Sequence, residues 1–198
     1  MALPELTEPV ELCDSRGRLN PAAVGWSRRA LHRANLRGRG RAKRWEYWAV
    51  SQGDLVFAVT VSDLDYAALH AVYYLGPGGR EIARSALVPL SRVGLPDRSG
   101  IAPVRVRTKA LRIDLVPEGD GLMLTAEAGD LRADFRIARP AGHEALGVVV
   151  PWGPTRFQYT VKENTLPATG EVTVGGERNA FDDAYATLDH GRGKWPYA

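Results

Sequence analysis

One cysteine, two methionines and no long apolar run stand out as shortages in this 198-residue sequence, and each narrows what the chain can be. Cys13 has no partner for an intrachain disulfide, so the fold must rest on its core, and a chain this long buries about 70% of its unfolded surface. A buried structural role is the common one for such a thiol. The opening stretch MALPELTEPVEL has neither the basic start nor the apolar centre of a secretory signal. Apolar runs such as residues 148–150 fall far short of the roughly 20 residues that cross a bilayer. These absences lead to the expectation of a cytoplasmic protein without a membrane span. Neither GxSxG, a Walker loop, HExxH nor a close cysteine pair occurs. The four histidines, at 32, 70, 143 and 190, are scattered, so neither a metal site nor a cofactor is expected.

Helical periodicity is almost as scarce, and alternation takes its place. In LRADFRI, Leu131, Ala133, Phe135 and Ile137 share one face while Arg132, Asp134 and Arg136 share the other, as a half-buried antiparallel strand requires. Similar runs begin at Leu111, Leu122, Arg156 and Gly170. RWEYWAVS, LVFAVTVS and ALHAVYYL are richer in apolar residues and are expected to be covered on both faces. SQGD, GPGG, PEGD, EAGD and VGGE separate these runs with the Gly and Asp that tight hairpins need. ELCDSRGRLN reads as a further hairpin, turning at residues 15–17. Only AVGWSRRALHRANL, residues 23–36, has a helical pattern, and it is short. The sum is an all-β fold, an antiparallel meander forming a barrel or strongly curved sandwich with little helix. With no internal repeat and no low-complexity linker, residues 1–198 are expected to form a single domain, with residues 1–44 packed on it as a hairpin and basic loop.

Acidic residues are missing from residues 28–44, which carry eight of the 26 Lys and Arg side chains. Such a segment has the composition of a nucleic-acid arm or of a contact for an acidic partner. It also has that of a solvated loop whose arginines, 37, 39 and 41 among them, pair with the acidic remainder; nucleic acid is the less expected partner.

Two constellations carry chemistry. In SDLDYAALH, Asp63 and Asp65 share a face of an extended chain, where like-charge repulsion would raise one pKa and prepare a general acid, with Tyr66 and His70 following as ligand contacts. Turn-capping is the competing role for both aspartates. The second constellation is VPWGPTRFQYT together with the closing AYATLDHGRGKWPYA. Trp152, Arg156, Tyr159, Arg192, Trp195 and Tyr197, with Trp48 from the first apolar strand, are residue types that line ligand sites, and Asp189 is a third candidate acid. Core packing is the competing role for the aromatics.

ELCDSRGRLNPAAVGWSRRALHRANL, RWEYWAV, VSDLDYA, VPWGPTRFQYTVKENTLPATGEVTVGG and LDHGRGKWPY, in that order and spacing, resemble the bacterial family known as domain of unknown function 2804. The resemblance spans nearly the whole chain. It implies that this is the N-terminal half of a longer, two-lobed β protein in which GRGxWPY is followed by a Trp-Asn-Trp strand and a second β-rich half. More distantly, that organisation resembles the lipocalin-like carotenoid hydratase and Diels-Alderase group. The function so implied is a lipocalin-like lobe that binds an apolar small molecule of lipid, isoprenoid or polyketide type, enzymatically or not, together with the other lobe. The other lobe, or self-association through the terminal strand, is the partner expected.

Overall fold

The structure, a computed structural model, describes residues 2–37 and 41–196. Fourteen strands and no α-helix occur among the described residues: β1 (Val10–Glu11), β2 (Trp26–Ser27), β3 (His32–Arg33), β4 (Ala42–Gln52), β5 (Leu55–Asp63), β6 (Ala67–Leu75), β7 (Glu81–Pro89), β8 (Val104–Arg107), β9 (Arg112–Glu118), β10 (Gly121–Ala128), β11 (Leu131–Ile137), β12 (Leu146–Gly153), β13 (Arg156–Val174) and β14 (Glu177–Lys194). Ten of them form one antiparallel sheet in the order β7-β6-β5-β4-β14-β13-β11-β10-β9-β8, and β12 and β2 extend it beside the first half of β13. The all-β, strongly curled half-barrel anticipated from the alternation is therefore present.

Sequence alternation dictates which face turns inward. LRADFRI alternates buried and exposed along β11 without a break, and the predicted turns all join neighbouring strands. The 19 residues of β13 run as one strand because register shifts at Glu163/Leu166 and Ala168/Gly170 absorb the parity change. Before the first shift, Phe157, Tyr159 and Val161 point inward; after it, Leu166 and Ala168 do. The curl brings distant strands together over the core: the Phe57 ring of β5 stacks on Phe135 of β11 at 5.2 Å, and Phe135 meets Phe181 of β14 edge-on at 5.1 Å.

Three expectations are corrected. The 23–36 pattern gives β2, β3 and the end of the single-turn 3-10 segment Pro21–Ala23 in place of a helix. The outer face of the apolar-rich strands is only partly covered, with Leu69 of β6 37% exposed and its β7 register partner Leu87 63% exposed, because the curl wraps a core around the inner face alone. Finally, β14 is not an unpaired edge: it pairs with β13 on one side and β4 on the other as far as Lys194, so the edges of the main sheet are β7 and β8.

The N-terminal segment folds over one end of the inner face. Asp14 accepts the Arg16 and Arg18 amides and tightens the predicted hairpin, and Asn35 clamps the Cys13 backbone by donating to its carbonyl and accepting its N–H. Leu12, Cys13, Leu19, Ala23 and Ala34 then pack with Val149, Phe157, Tyr159 and Val161 in a second, smaller core. Burial pushes the Cys13 thiol up to about 11, so it stays protonated and packs as a small apolar group.

Candidate functional site

Under this cover the inner face carries ionisable groups where the rest of it carries Val, Leu and Phe. Glu46 of β4, His190 and Arg192 of β14 are each at most 2% exposed. Strand parity puts them there, because Glu46 shares a face with Trp48 and Val50, and His190 and Arg192 share one with Leu188; His190 and Glu46 are register partners. Arg192 donates to the carbonyls of Trp45 (2.7 Å), Gly191 (2.8 Å) and Pro96 (2.7 Å) and reaches the Glu46 carboxylate at 3.5 Å. Ser99 Oγ donates to the other Glu46 oxygen at 3.0 Å, and His190 Nδ1 lies 3.6 Å from the first.

A second guanidinium completes the wall. Arg139 donates Nε to Glu163 at 2.9 Å and its two Nη atoms to the carbonyl and hydroxyl of Ser99, both at 3.2 Å, and it lies 5.4 Å from the Trp48 ring. The 91–103 loop is thereby pinned over the sheet by Arg192 at Pro96 and by Glu46 and Arg139 at Ser99, with Arg33 pairing Asp97 at 3.4 Å. Gly100, at φ +79°, permits this: a Cβ there would fall 2.2 Å from Arg139 Nη1.

Beside these groups lies a cavity of about 10 Å³, room for one water molecule, with His190, Tyr159, Ser99, Arg98, Val161 and Leu188 in its wall. Tyr159 Oη and Arg192 Nε are buried without a hydrogen-bond partner, and His190 Nδ1 faces only the Glu46 carboxylate, at 3.6 Å. Burial lowers the His190 pKa to about 4 and Arg192 to about 10, and it raises the Tyr159 phenol. Burial acts to raise Glu46 as well, but the hydrogen bonds and charges of His190, Arg192 and Ser99 outweigh it and hold the carboxyl below its ordinary value. At neutral pH the site thus contains a carboxylate, a guanidinium, a neutral imidazole and a neutral phenol, a set able to bind a polar head group and to relay a proton. His32 flanks it, its ring 4.4 Å from Tyr159 and its Nε2 2.9 Å from the Ala23 carbonyl oxygen. Among the described residues, no three His, Cys, Asp or Glu side chains stand close enough to share a metal ion.

Of the residues singled out from the sequence, Tyr159 and Arg192 meet here, and Trp48 lies beneath Arg139. The others stand elsewhere. Asp63 accepts the Asp65 amide at 2.7 Å in the β5–β6 turn, and Asp65, at φ +76°, pairs with Arg92 at 3.2 Å. Tyr66 is exposed beside Lys43, while His70 is buried on β6 with its pKa lowered by burial. Asp189 has the opposite parity to His190 and pairs with Lys162 at 2.5 Å. Arg156 donates to the Thr155 carbonyl and Trp152 is exposed, both at the β12–β13 turn. Trp195 lies on the outer face, donating Nε1 to Gln158 at 2.6 Å and meeting Trp45 edge-on at 5.8 Å. Tyr197 and Arg39 lie outside the described residues. Sequence reasoning misses Glu46, His190, Ser99, Arg139 and Glu163, although a charge at inward parity inside RWEYWAV is a readable sign of Glu46.

The basic segment is largely consumed within the protein. Arg28 pairs with Glu5 and Glu144, Arg33 with Glu11 and Asp97, Lys43 donates to the Leu64 carbonyl and Arg44 to that of Leu36. A larger hollow of about 490 Å³, on the outer face of β8–β11, is lined by exposed alternating charges such as the Arg112–Glu127 pair, and that is the pattern of a solvated surface.

The strongly curled antiparallel half-barrel, packed over a core on its inner face, is a lipocalin-like fold. The chain belongs to the family described as domain of unknown function (DUF2804), whose pattern it matches over residues 4–198. Among solved structures it is similar to a protein from Nitrosomonas europaea provisionally named AttH, with a TM-score of 0.52 and 18% identity over 79% of this chain. The chain spans about half of that protein, 52% of its length. No curated protein matches. No helix among the described residues is long and apolar enough to cross a membrane.

Proposed function

We propose that this domain is the small-molecule-binding lobe of a lipocalin-like protein, and that it holds the polar head of a largely apolar ligand at the covered end of its sheet. The observation that carries the reading is the grouping of buried polar atoms with hydrogen-bonding capacity to spare under one cover: Tyr159 Oη and Arg192 Nε have no partner, and His190 Nδ1 has only Glu46, at 3.6 Å. Each such group costs about 1–3 kcal/mol of stability, so a fold that retains several together retains them for a partner. The Phe57, Phe135 and Phe181 rings pack together on the inner face, so the apolar body of the ligand is directed outward, toward the second lobe of a two-lobed protein. Polar contact with the head group falls to His190 and Tyr159, which line the cavity.

Titration with 1-octanol, one hydroxyl on an apolar chain, tests the reading through Trp fluorescence and the melting temperature. Saturable binding that weakens about tenfold or more in the Tyr159→Phe, His190→Gln double variant is the expected result. Non-saturable partitioning, or equal binding by the variant, refutes it.

A further inference from the structure

Resting on that reading, we propose that the ligand's head group is a carboxylate, taken up by Arg98 and Arg139 in the place that Glu163 now fills. Beside the enclosed cavity lies an open cleft of about 280 Å³ lined by Arg29, Arg139, Pro140, Gly142, His143 and Glu163. Glu163 lines both spaces, and Ala30 of the cavity follows Arg29 of the cleft, so the Arg139–Glu163 ion pair is the partition between them.

The two halves of that partition are held very differently. Arg139 is built in, with two donors to Ser99, Trp48 beneath it and the backbone of Gly100 shaped around it. The Glu163 side chain has Arg139 Nε as its sole hydrogen-bond or ion-pair partner among the described residues. A carboxylate is therefore already seated on this guanidinium through one bond, and a ligand carboxylate replaces it without disturbing the arginine. The charge balance favours the exchange. Arg29, Arg98 and Arg139 line the two spaces with Glu163 as the acidic residue, and neither the Arg29 nor the Arg98 side chain makes a hydrogen bond or ion pair among the described residues. Three guanidinium groups around one partition favour an anion there, and Arg139 Nε is the donor that a ligand carboxylate takes over from Glu163.

Octanoate, 1-octanol, acetate and inorganic phosphate, each titrated into the intact protein and two variants, distinguish the cases. Because Arg139→Gln would also release the loop, Arg98→Gln and Glu163→Gln are used. Octanoate is expected to bind about tenfold or more tightly than 1-octanol, and Arg98→Gln to bring the ratio of the two affinities close to one. Glu163→Gln is expected to tighten octanoate, since it removes the competing anion; a merely structural ion pair predicts the opposite. Octanoate no tighter than 1-octanol, or weakened by Glu163→Gln, overturns the carboxylate assignment while saturable 1-octanol binding leaves the small-molecule reading standing. Stronger competition by phosphate than by acetate also overturns it, in favour of a phosphate head. Failure of both octanol and octanoate to bind refutes both proposals.

Discussion

Replacing Glu46 by Gln removes one negative charge and almost no volume, so its effect isolates the electrostatics of the buried site. Breaking a buried pair from one side typically costs about 3–5 kcal/mol, because the remaining charge is left uncompensated. Here the remaining charge is Arg192, 1% exposed, and three carbonyl oxygens within 2.8 Å continue to solvate it. The amide oxygen of the substituted side chain also keeps an acceptor for the Ser99 hydroxyl. The loss should therefore sit at the lower end, about 3 kcal/mol at pH 7. Glu127→Gln, which breaks the exposed Arg112–Glu127 pair, serves as the control and should cost less than about 1 kcal/mol. Urea unfolding at constant slope measures both. A Glu46→Gln loss as small as that of the control would show that the buried carboxylate does not compensate Arg192, and the reasoning would fail.

Stability should also fall with acid in a window set by His190, whose pKa of about 4 lies below the 6.5 of an exposed histidine. The unfolded chain binds more protons between those values, so the contribution is complete above pH 6.5 and is lost as pH falls toward 4, by roughly 3 kcal/mol. His190→Gln should flatten that part of the pH–stability curve, and an unchanged slope would place the titrating group elsewhere. Tyr159→Phe removes a buried hydroxyl that has no partner, so chemical unfolding should show no loss, or a gain of up to about 1 kcal/mol; a loss above about 1 kcal/mol would reveal a bond that Tyr159 makes in the folded state. Gly191→Ala places a Cβ 2.0 Å from Trp45 Cζ2 and should cost about 1–3 kcal/mol by overpacking, with Trp45→Ala in the same chain recovering part of it in a double-mutant cycle.

Alternation makes most of the sheet legible without any coordinates. LRADFRI is β11 at the same boundaries, and the Gly-containing turns fall between neighbouring strands, because period two and positive φ are local properties. The long strands β13 and β14 are less legible. Their parity changes at the register shifts, where Thr165 takes φ +57° without being glycine, so no single alternation runs through either of them. Residues 23–36 mislead for a related reason. Their apolar residues are spaced to suit a helix, but they are buried one by one against Tyr159, Val161 and Val149 of the sheet, a tertiary contact that a periodicity window does not contain.

The site is legible only where the chain itself brings its parts together. GRGKW joins three adjacent positions with opposite duties: Arg192 turns inward to Glu46, while Gly191 turns outward beneath the Trp45 indole and Gly193 lies against Gln158, which accepts the Trp195 N–H. A cluster of aromatic, basic and glycine residues in one stretch therefore signals a sheet crossed by two environments, and Trp195 belongs to the outer one. Read along the chain alone, Trp195 groups with Arg192 although the sheet separates them. Ser99, Arg139 and Glu163 join Arg192 and Glu46 only through the 91–103 loop and the curl of β13, which bring together side chains far apart in the chain. Asp63 and Asp65 make the converse case. Two acids two residues apart read equally as a dyad or as a turn, and Asp65 at positive φ with its N–H on the Asp63 carboxylate commits both to the turn. Ionisable groups gain pKa shifts from what the fold stacks above them, so the most shifted groups of this domain lie in the contact between cover and sheet rather than in any single motif.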